Sequence, residues 1–486
     1  MKQIYYHTLL IGCLLLAIAC TPQPENVTDT TEVAPIYPDY TNITLPNNIA
    51  PLNFLLRNEA EAVQITLQGK TESWALTSDN HQVCFPLKKW KSFMEKVQGE
   101  TLEISLIALQ KGKWVRYPKF QWIISKDKID GYLSYRLIEP AYEVWNEVEI
   151  RERNIETFDE KVLSTHKNTY NACMNCHIYG NKSGDLSMFH LRGPHGGTIL
   201  NRNGQLRKLT LKNQELISAT VYGDFHPSGR YGVFSTNIII PSFHAHGNER
   251  FEVYDTASDL VIADFDENRL ISSPLVADKG KFETFPTFSP DGKYVYFCTA
   301  DTVSLPNDIE QLKYSLCRIA FDEENQQWGS QIDTIWNARD MNGSVCHPKI
   351  SPDGKYLLYT VADFGTFPIW HRETELQMIN LQTGSIDSLE AVNSNRSETY
   401  HSWSSNSRWF VFASKRGDGQ YGKPYFCYVD ENGQAHKPFV LPQKYPDHYD
   451  LTLKSFNIPD LSVSPTPFDS EDIGRMFEKV SAEAFE

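Results

Sequence analysis

Cys173, Met174, Asn175, Cys176 and His177 spell C-x-x-C-H. At this spacing two thiols add across the vinyl groups of a porphyrin while the adjacent imidazole takes one axial position on its iron. With 9 Cys and 14 His in 486 residues, random order would produce the pattern in only about 0.5% of such chains, so chance does not account for it. A second axial ligand is expected downstream. Met188 and His190 are two residues apart and would point the same way along an extended strand. His190 is the first candidate, Met188 the second, with His195 and His166 behind them. Arg192 shares that face and would neutralise a haem propionate. Two other chemistries suit the same residues. Zinc wants four ligands, and no second C-x-x-C or H-x-x-x-H of suitable spacing is present to complete a site. A disulfide between Cys173 and Cys176 suits an oxidising compartment and would leave a non-catalytic scaffold.

The start of the chain sets the compartment. Lys2 precedes an apolar run from Leu9 to Ile18, too short to span a bilayer, that ends at Ala17-Ile18-Ala19-Cys20. This order resembles a bacterial lipobox and predicts a signal over residues 1–19, cleavage before Cys20 and a lipid on that cysteine. Residues 20–47, rich in Pro, Thr and acidic side chains, read as a flexible tether to the membrane. The expected location is the cell envelope, periplasmic or at the outer membrane. A net charge of -15 and a pI near 5.4 argue against nucleic acid and against electrostatic docking on anionic lipid.

The elements that must hold the motif are mostly β. Aromatic residues make up 12% of the chain and long helical patterns are few. Over 48–140 short alternating runs, such as Ala62–Leu67 and Thr101–Leu106, predict a β-sandwich-like domain. Within it Leu87, Trp90, Phe93, Met94 and Val97 repeat at helical spacing. Over 141–185, Val144, Trp145, Val148, Ile155, Phe158 and Val162 fall near one helical face, which predicts a short helical connector carrying the motif. Cys84, Cys298, Cys317, Cys346 and Cys427 stand singly on apolar runs and are expected to be buried thiols.

The second half repeats itself. Phe288-Ser289-Pro290-Asp291-Gly292-Lys293-Tyr294 returns as Ile350-Ser351-Pro352-Asp353-Gly354-Lys355-Tyr356, with degenerate copies at Phe225–Tyr231 and Trp403–Trp409. Each is a tight turn between two strands. The spacing leaves room for a four-stranded blade per repeat. A longer match pairs Glu283-Thr284-Phe285 with Glu398-Thr399-Tyr400. It places Glu283 and Glu398 at equivalent points near one mouth of an axial channel, with His347 and His401 close by, as ligand contacts or as carboxylates accepting backbone N–H bonds.

These turns resemble those of TolB-like, WD-repeat-like β-propellers over residues 186–470, with 471–486 as a tail. The resemblance implies five or six blades. The order of lipoprotein start, C-x-x-C-H, Phe189-His190-Leu191-Arg192 and S-P-D-G turns is similar to envelope lipoproteins of Bacteroidetes that join such a motif to a TolB-like propeller. That likeness implies a haem and brings no activity with it. The expected function is electron transfer or redox sensing, with a protein or glycan partner on the propeller face. No G-x-S-x-G elbow is present to support a hydrolase.

Overall fold

The computed structural model describes residues 24–58, 60–140, 145–243 and 251–486. Cys20 and the signal, and Val144 of the connector, lie outside the described residues. Two compact units result. Of the described residues, the smaller gathers those up to Asn42, Pro51–Ile124 and Gln443–Tyr449, and the larger those within Ile43–Ala50, Ser125–Pro442 and Asp450–Glu486.

In the smaller unit Ala62–Gln68 pairs with Ser73–Ser78 and with Thr101–Gln110, which in turn pairs with Lys113–Arg116 and Phe120–Ser125. A three-stranded sheet of Ile36–Tyr37, Phe54–Leu56 and Gln82–Val83 accompanies it. Alternation works as read: Leu102, Ile104, Leu106 and Ala108 are buried while their neighbours face outward. The predicted helix forms over Leu87–Lys96 and buries Trp90, Phe93 and Met94. Phe85 packs on Trp90 at 5.0 Å and Trp74 on Phe93 at 5.6 Å between ring centroids, an aromatic core that dominates the burial energy of so small a unit. Cys84 departs from expectation. It follows the short strand Gln82–Val83 and is exposed, whereas Cys298, Cys317, Cys346 and Cys427 are buried.

Among the described residues the larger unit is a propeller-like ring of six mainly antiparallel sheets, the second and third joined by a parallel pairing of Ser258 with Phe282. The first sheet runs Met174–Tyr179, Leu186–Leu191, Gly197–Arg202 and Gln205–Thr210. The second runs Thr220–Phe225, Tyr231–Phe243, Phe251–Asp264 and Arg269–Ile271. The third runs Lys281–Phe288, Tyr294–Asp301, Ser315–Asp322 and Gln327–Trp336. The fourth runs Ser344–Ile350, Tyr356–Ala362, Glu375–Asn380 and Ile386–Asp387, and the fifth Glu398–Trp403, Trp409–Ser414, Lys423–Tyr428 and Phe439–Val440. The sixth is composite. Its first strand, Ser455–Ser462, comes from late in the chain and pairs with Tyr132–Ile138, which leads outward to Val148–Asn154 and Glu160–Thr165. Each first strand packs against the next, and Ser455–Ser462 returns to Met174–Tyr179.

Two expectations change here. Tyr132–Ile138 belongs to the ring and not to the N-terminal domain, and the described part of the connector, 145–185, is mainly strand with two short 3-10 turns where a helix was expected. Val148 and Ile150 are buried in period two along Val148–Asn154. Ile155 is buried beneath the turn that follows, and Val162 lies on the returning strand. A strand, a turn and a strand together imitate the three- and four-residue spacing of one helical face.

The repeated turns join first to second strands in the second to fifth sheets. Gly292 and Gly354 both adopt φ of +73° and donate their N–H to the Ser289 and Ser351 carbonyls at 2.9 and 2.8 Å. A side chain at Gly354 would meet nothing within 4 Å, whereas one at Gly292 would lie 2.1 Å from His226 Nε2. Gly354→Ala is therefore expected to cost about 1–2 kcal/mol from backbone conformation alone. Gly292→Ala is expected to cost clearly more in a denaturant titration, because the His226 ring must also move.

Candidate functional site

All six first strands break register at the same place. The shifts fall between Asn175 and Ile178, Thr220 and Gly223, Thr284 and Thr287, Cys346 and Lys349, and Thr399 and Ser402. In the sixth sheet the break lies between Asn457 and Asp460. A bulge re-aims one side chain. Cys176, Phe285, His347, Tyr400 and Ile458 sit there with φ between +47° and +57°, and Tyr222 takes the same place in the second sheet. These six line one cavity of about 370 Å³. Rings run around it in contact: Tyr222 on Phe285 at 4.5 Å, Phe285 on His347 at 4.3 Å, His347 on Tyr400 at 4.7 Å.

The cysteine motif thus opens the first strand of the first sheet. Cys176 is the bulge residue, and burial pushes its thiol up to about 11. Cys173, just before the strand, is half-exposed and does not line the cavity. Asn175 Nδ2 donates to its Sγ at 3.4 Å, and no sulfur–sulfur bond joins the two cysteines.

His177 follows the bulge and turns toward the sixth sheet. Its ring lies 6.5 Å from that of Tyr179, whose Oη bonds Ser134 Oγ at 2.5 Å. His177 is 3% exposed, and neither ring nitrogen makes a hydrogen bond of normal geometry. Burial holds its pKa down to about 4, so the ring is neutral near pH 7. His401 holds the same place in the fifth sheet. There Nε2 reaches the Leu358 carbonyl at 2.9 Å, Nδ1 makes no hydrogen bond of normal geometry, and burial lowers the pKa to about 3. His347 is also held well below the usual range by burial.

The expected second ligands lie elsewhere. His190 pairs with Asn175 and Met188 with Ile178, so both side chains face the second sheet, while His177 faces the sixth. His190 Nδ1 bonds Thr198 Oγ1 at 2.8 Å and its ring lies 6.0 Å from Phe234. Met188 packs among Leu200, Phe225 and Phe234. The first sheet itself separates these residues from His177. His195 is exposed beside Tyr170 and Phe477, and His166 is buried against the Val148 backbone. Arg192 stays near the motif: its N–H donates to the Cys173 carbonyl at 2.9 Å and its charge favours the Cys176 thiolate.

Arg136 was not legible as a site residue. It sits on the second strand of the sixth sheet, is 7% exposed, and donates Nη1 to the Met174 carbonyl at 3.4 Å while its Nε has no partner. Its charge also favours the Cys176 thiolate. No pattern around Tyr135-Arg136-Leu137 marks it, because its meeting with the motif exists only through ring closure.

Glu283 and Glu398 do hold equivalent positions, two residues before their bulges, but neither lines the cavity. Glu398 is held by Arg416 at 3.0 Å and by Ser394. Burial raises the Glu398 carboxyl to about 7 and that of Glu283 to about 8. The native state therefore holds a proton at Glu283 that the unfolded chain releases near 4.5, and stability falls as pH rises from there toward 8. Glu283→Gln is expected to raise the melting temperature by a few degrees at pH 8 to 9, with the gain vanishing below pH 5.

Two free thiols, a buried imidazole and two nearby guanidinium groups are the residue types that a c-type haem takes for attachment, an iron bond and propionate pairing, although Cys173 stands outside the cavity that Cys176 lines. His190 and Met188 do not suit the second axial bond. Among the described residues no three His, Cys, Asp or Glu side chains are grouped to hold a metal ion, so the zinc alternative gains nothing.

No family model and no curated protein matches this chain. Among solved structures it is similar to a DUF4784 family protein from Bacteroides caccae, at 8% identity over 73% of this chain and 94% of that one, with a TM-score of 0.28. It is similar to an oligogalacturonate lyase in complex with manganese, at 10% identity over 77% and 99% with a TM-score of 0.26. A dipeptidyl peptidase 4 from Porphyromonas gingivalis matches at 10% identity over 73% and 60%, also at 0.26. At such scores none of the three carries an argument, and the propeller-like ring rests on this chain's own strand pairing.

Proposed function

We propose that this chain is a six-bladed β-propeller, joined to an N-terminal β-sandwich-like domain and tethered to the bacterial envelope by a lipid on Cys20. In this reading it carries a c-type haem on Cys173 and Cys176 for electron transfer or redox sensing, with a protein or glycan partner recruited on the propeller face. The observation that carries the reading is His177, a buried imidazole beside Cys176 in a C-x-x-C-H motif whose two thiols are both free. A neutral imidazole next to two free thiols is the residue set that c-type attachment uses. His177 would hold the iron, the two cysteines the porphyrin edge, and Arg136 and Arg192 its propionates. When bound, the haem supplies one-electron chemistry. The chain's own part is to keep that imidazole neutral and to shield it from water.

Full-length protein made with a working haem-attachment system is expected to stain for haem after denaturing electrophoresis and to give a pyridine haemochrome spectrum. Absence of both would leave the scaffold reading, with Cys173 and Cys176 oxidised to a disulfide. A separate observation favours some binding role in either case: the cavity carries a layer of polar side chains drawn from around the ring.

A further inference from the structure

A layer of polar groups enters the cavity from around the ring: Lys182 in the turn after Met174–Tyr179, and Asp224, Thr287, Lys349, Ser402 and Asp460 on the first strands of the other five sheets. Lys182 extends from that turn to Ser402 of the fifth sheet at 2.8 Å and Asp460 of the sixth at 3.1 Å. Lys349 of the fourth sheet meets Asp224 of the second at 3.3 Å, and Thr287 of the third bonds the same carboxylate. Both lysines skip an intervening sheet, so their side chains reach across the opening. Beneath this layer lie the aromatic bulge residues.

We propose that this cavity binds a small, uncharged, hydroxyl-rich ring, a monosaccharide or one end of a disaccharide. Two ammonium groups and two carboxylates cancel, so the layer offers no field to hold a net charge. It still offers hydrogen bonds. Lys182 uses two of its three ammonium hydrogens, and Asp460 receives both of its bonds on Oδ1, leaving Oδ2 open. A hydroxyl both donates and accepts, so it takes up this spare capacity with the ion pairs intact, whereas a zwitterion would have to pull them apart. The Nδ1 atom of His347 is buried without a hydrogen-bond partner, and a hydroxyl of a ligand at this wall would satisfy it. The faces of Tyr222, Phe285 and Tyr400 suit the C–H side of a sugar ring. A volume of about 370 Å³ falls in the range of small-molecule sites. A porphyrin bonded to Cys176 would enter this same cavity, so the sugar site stands apart from the haem reading and is titrated on protein made without haem attachment.

The test is calorimetric titration of the purified full chain, with tryptophan fluorescence as a second readout because Trp403 lines the cavity. The probes are glucose, galactose, mannose, N-acetylglucosamine, maltose and cellobiose, set against glycine, phenylalanine and glucuronate. At least one neutral sugar is expected to bind with a Kd of about 1 mM or tighter. Asp224→Asn and His347→Phe are each expected to weaken it at least about tenfold, a loss of the order of one or two hydrogen bonds. His347→Phe keeps a ring packed between Phe285 and Tyr400, so if Asp224→Asn fails to fold it decides alone. The proposal is overturned if no neutral sugar binds, if only the charged or zwitterionic probes bind, or if binding survives in folded variants unchanged.

Discussion

Cys173→Ser combined with Cys176→Ser is expected to abolish covalent haem, with stain and haem mass both falling to background while the melting temperature moves little. Cys173 is half-exposed and Cys176 lines a cavity, so a hydroxyl in either place leaves no void of consequence in the core. Either single variant keeps one thioether, and its haemochrome band should shift instead of vanishing. Under the haem proposal His177→Ala should leave haem attached but change the spectrum of the iron, since it would remove the imidazole proposed to hold the iron and neither thiol. His190→Ala should leave that spectrum as it was, because Thr198 and Phe234 hold this ring on the other face of the sheet. Attached haem whose spectrum responds to His190→Ala and not to His177→Ala would reverse the assignment. Haem stain that persists in the double serine variant would remove the thioether reading altogether.

Ending the chain after Lys454 is expected to leave a ring unable to fold. The deletion removes Ser455–Ser462, the strand that pairs with Tyr132–Ile138 and packs between the first strands of the first and fifth sheets. Phe456 and Leu461 are both buried. Truncating side chains of these kinds costs about 3–5 and 2–5 kcal/mol respectively, against a total stability of about 5–15 kcal/mol for a typical domain. Removing the strand also opens the backbone edge of Tyr132–Ile138. Loss of a cooperative melt, with rapid proteolysis between 132 and 454, is the expected result. A truncated chain that still melts cooperatively near the wild-type temperature would mean that closure contributes little.

Local chemistry was readable in the sequence wherever a few consecutive residues decide a conformation. The S-P-D-G turns predicted hairpins, and four of the six sheets carry them. The fourth copy kept its conformation without its glycine, since Ser407 adopts φ of +60° where the others have Gly. The match between Glu283 and Glu398 marked equivalent positions, but their distance from the cavity was invisible, because it depends on where a bulge lies relative to the axis. The helix at Leu87–Lys96 was legible because one apolar stripe served one element. The stretch from Trp145 to Val162 was misread because two short strands and their turn produce the same spacing.

The sequence by itself determined the repeat, the mostly-β class and a thiol–thiol–imidazole motif whose order is chemical. Tertiary structure decided what that motif faces. The bulge at Cys176 turns Cys176 into the cavity and His177 toward a sheet assembled from residues near 135 and near 458, while His190 and Met188 keep the plain alternation and face the other way. Spacing along a chain fixes which residues can share a face only while register is unbroken. A ring that closes on its own late strand brings Arg136, Asp460 and the motif together across more than three hundred residues, through burial that no local pattern encodes.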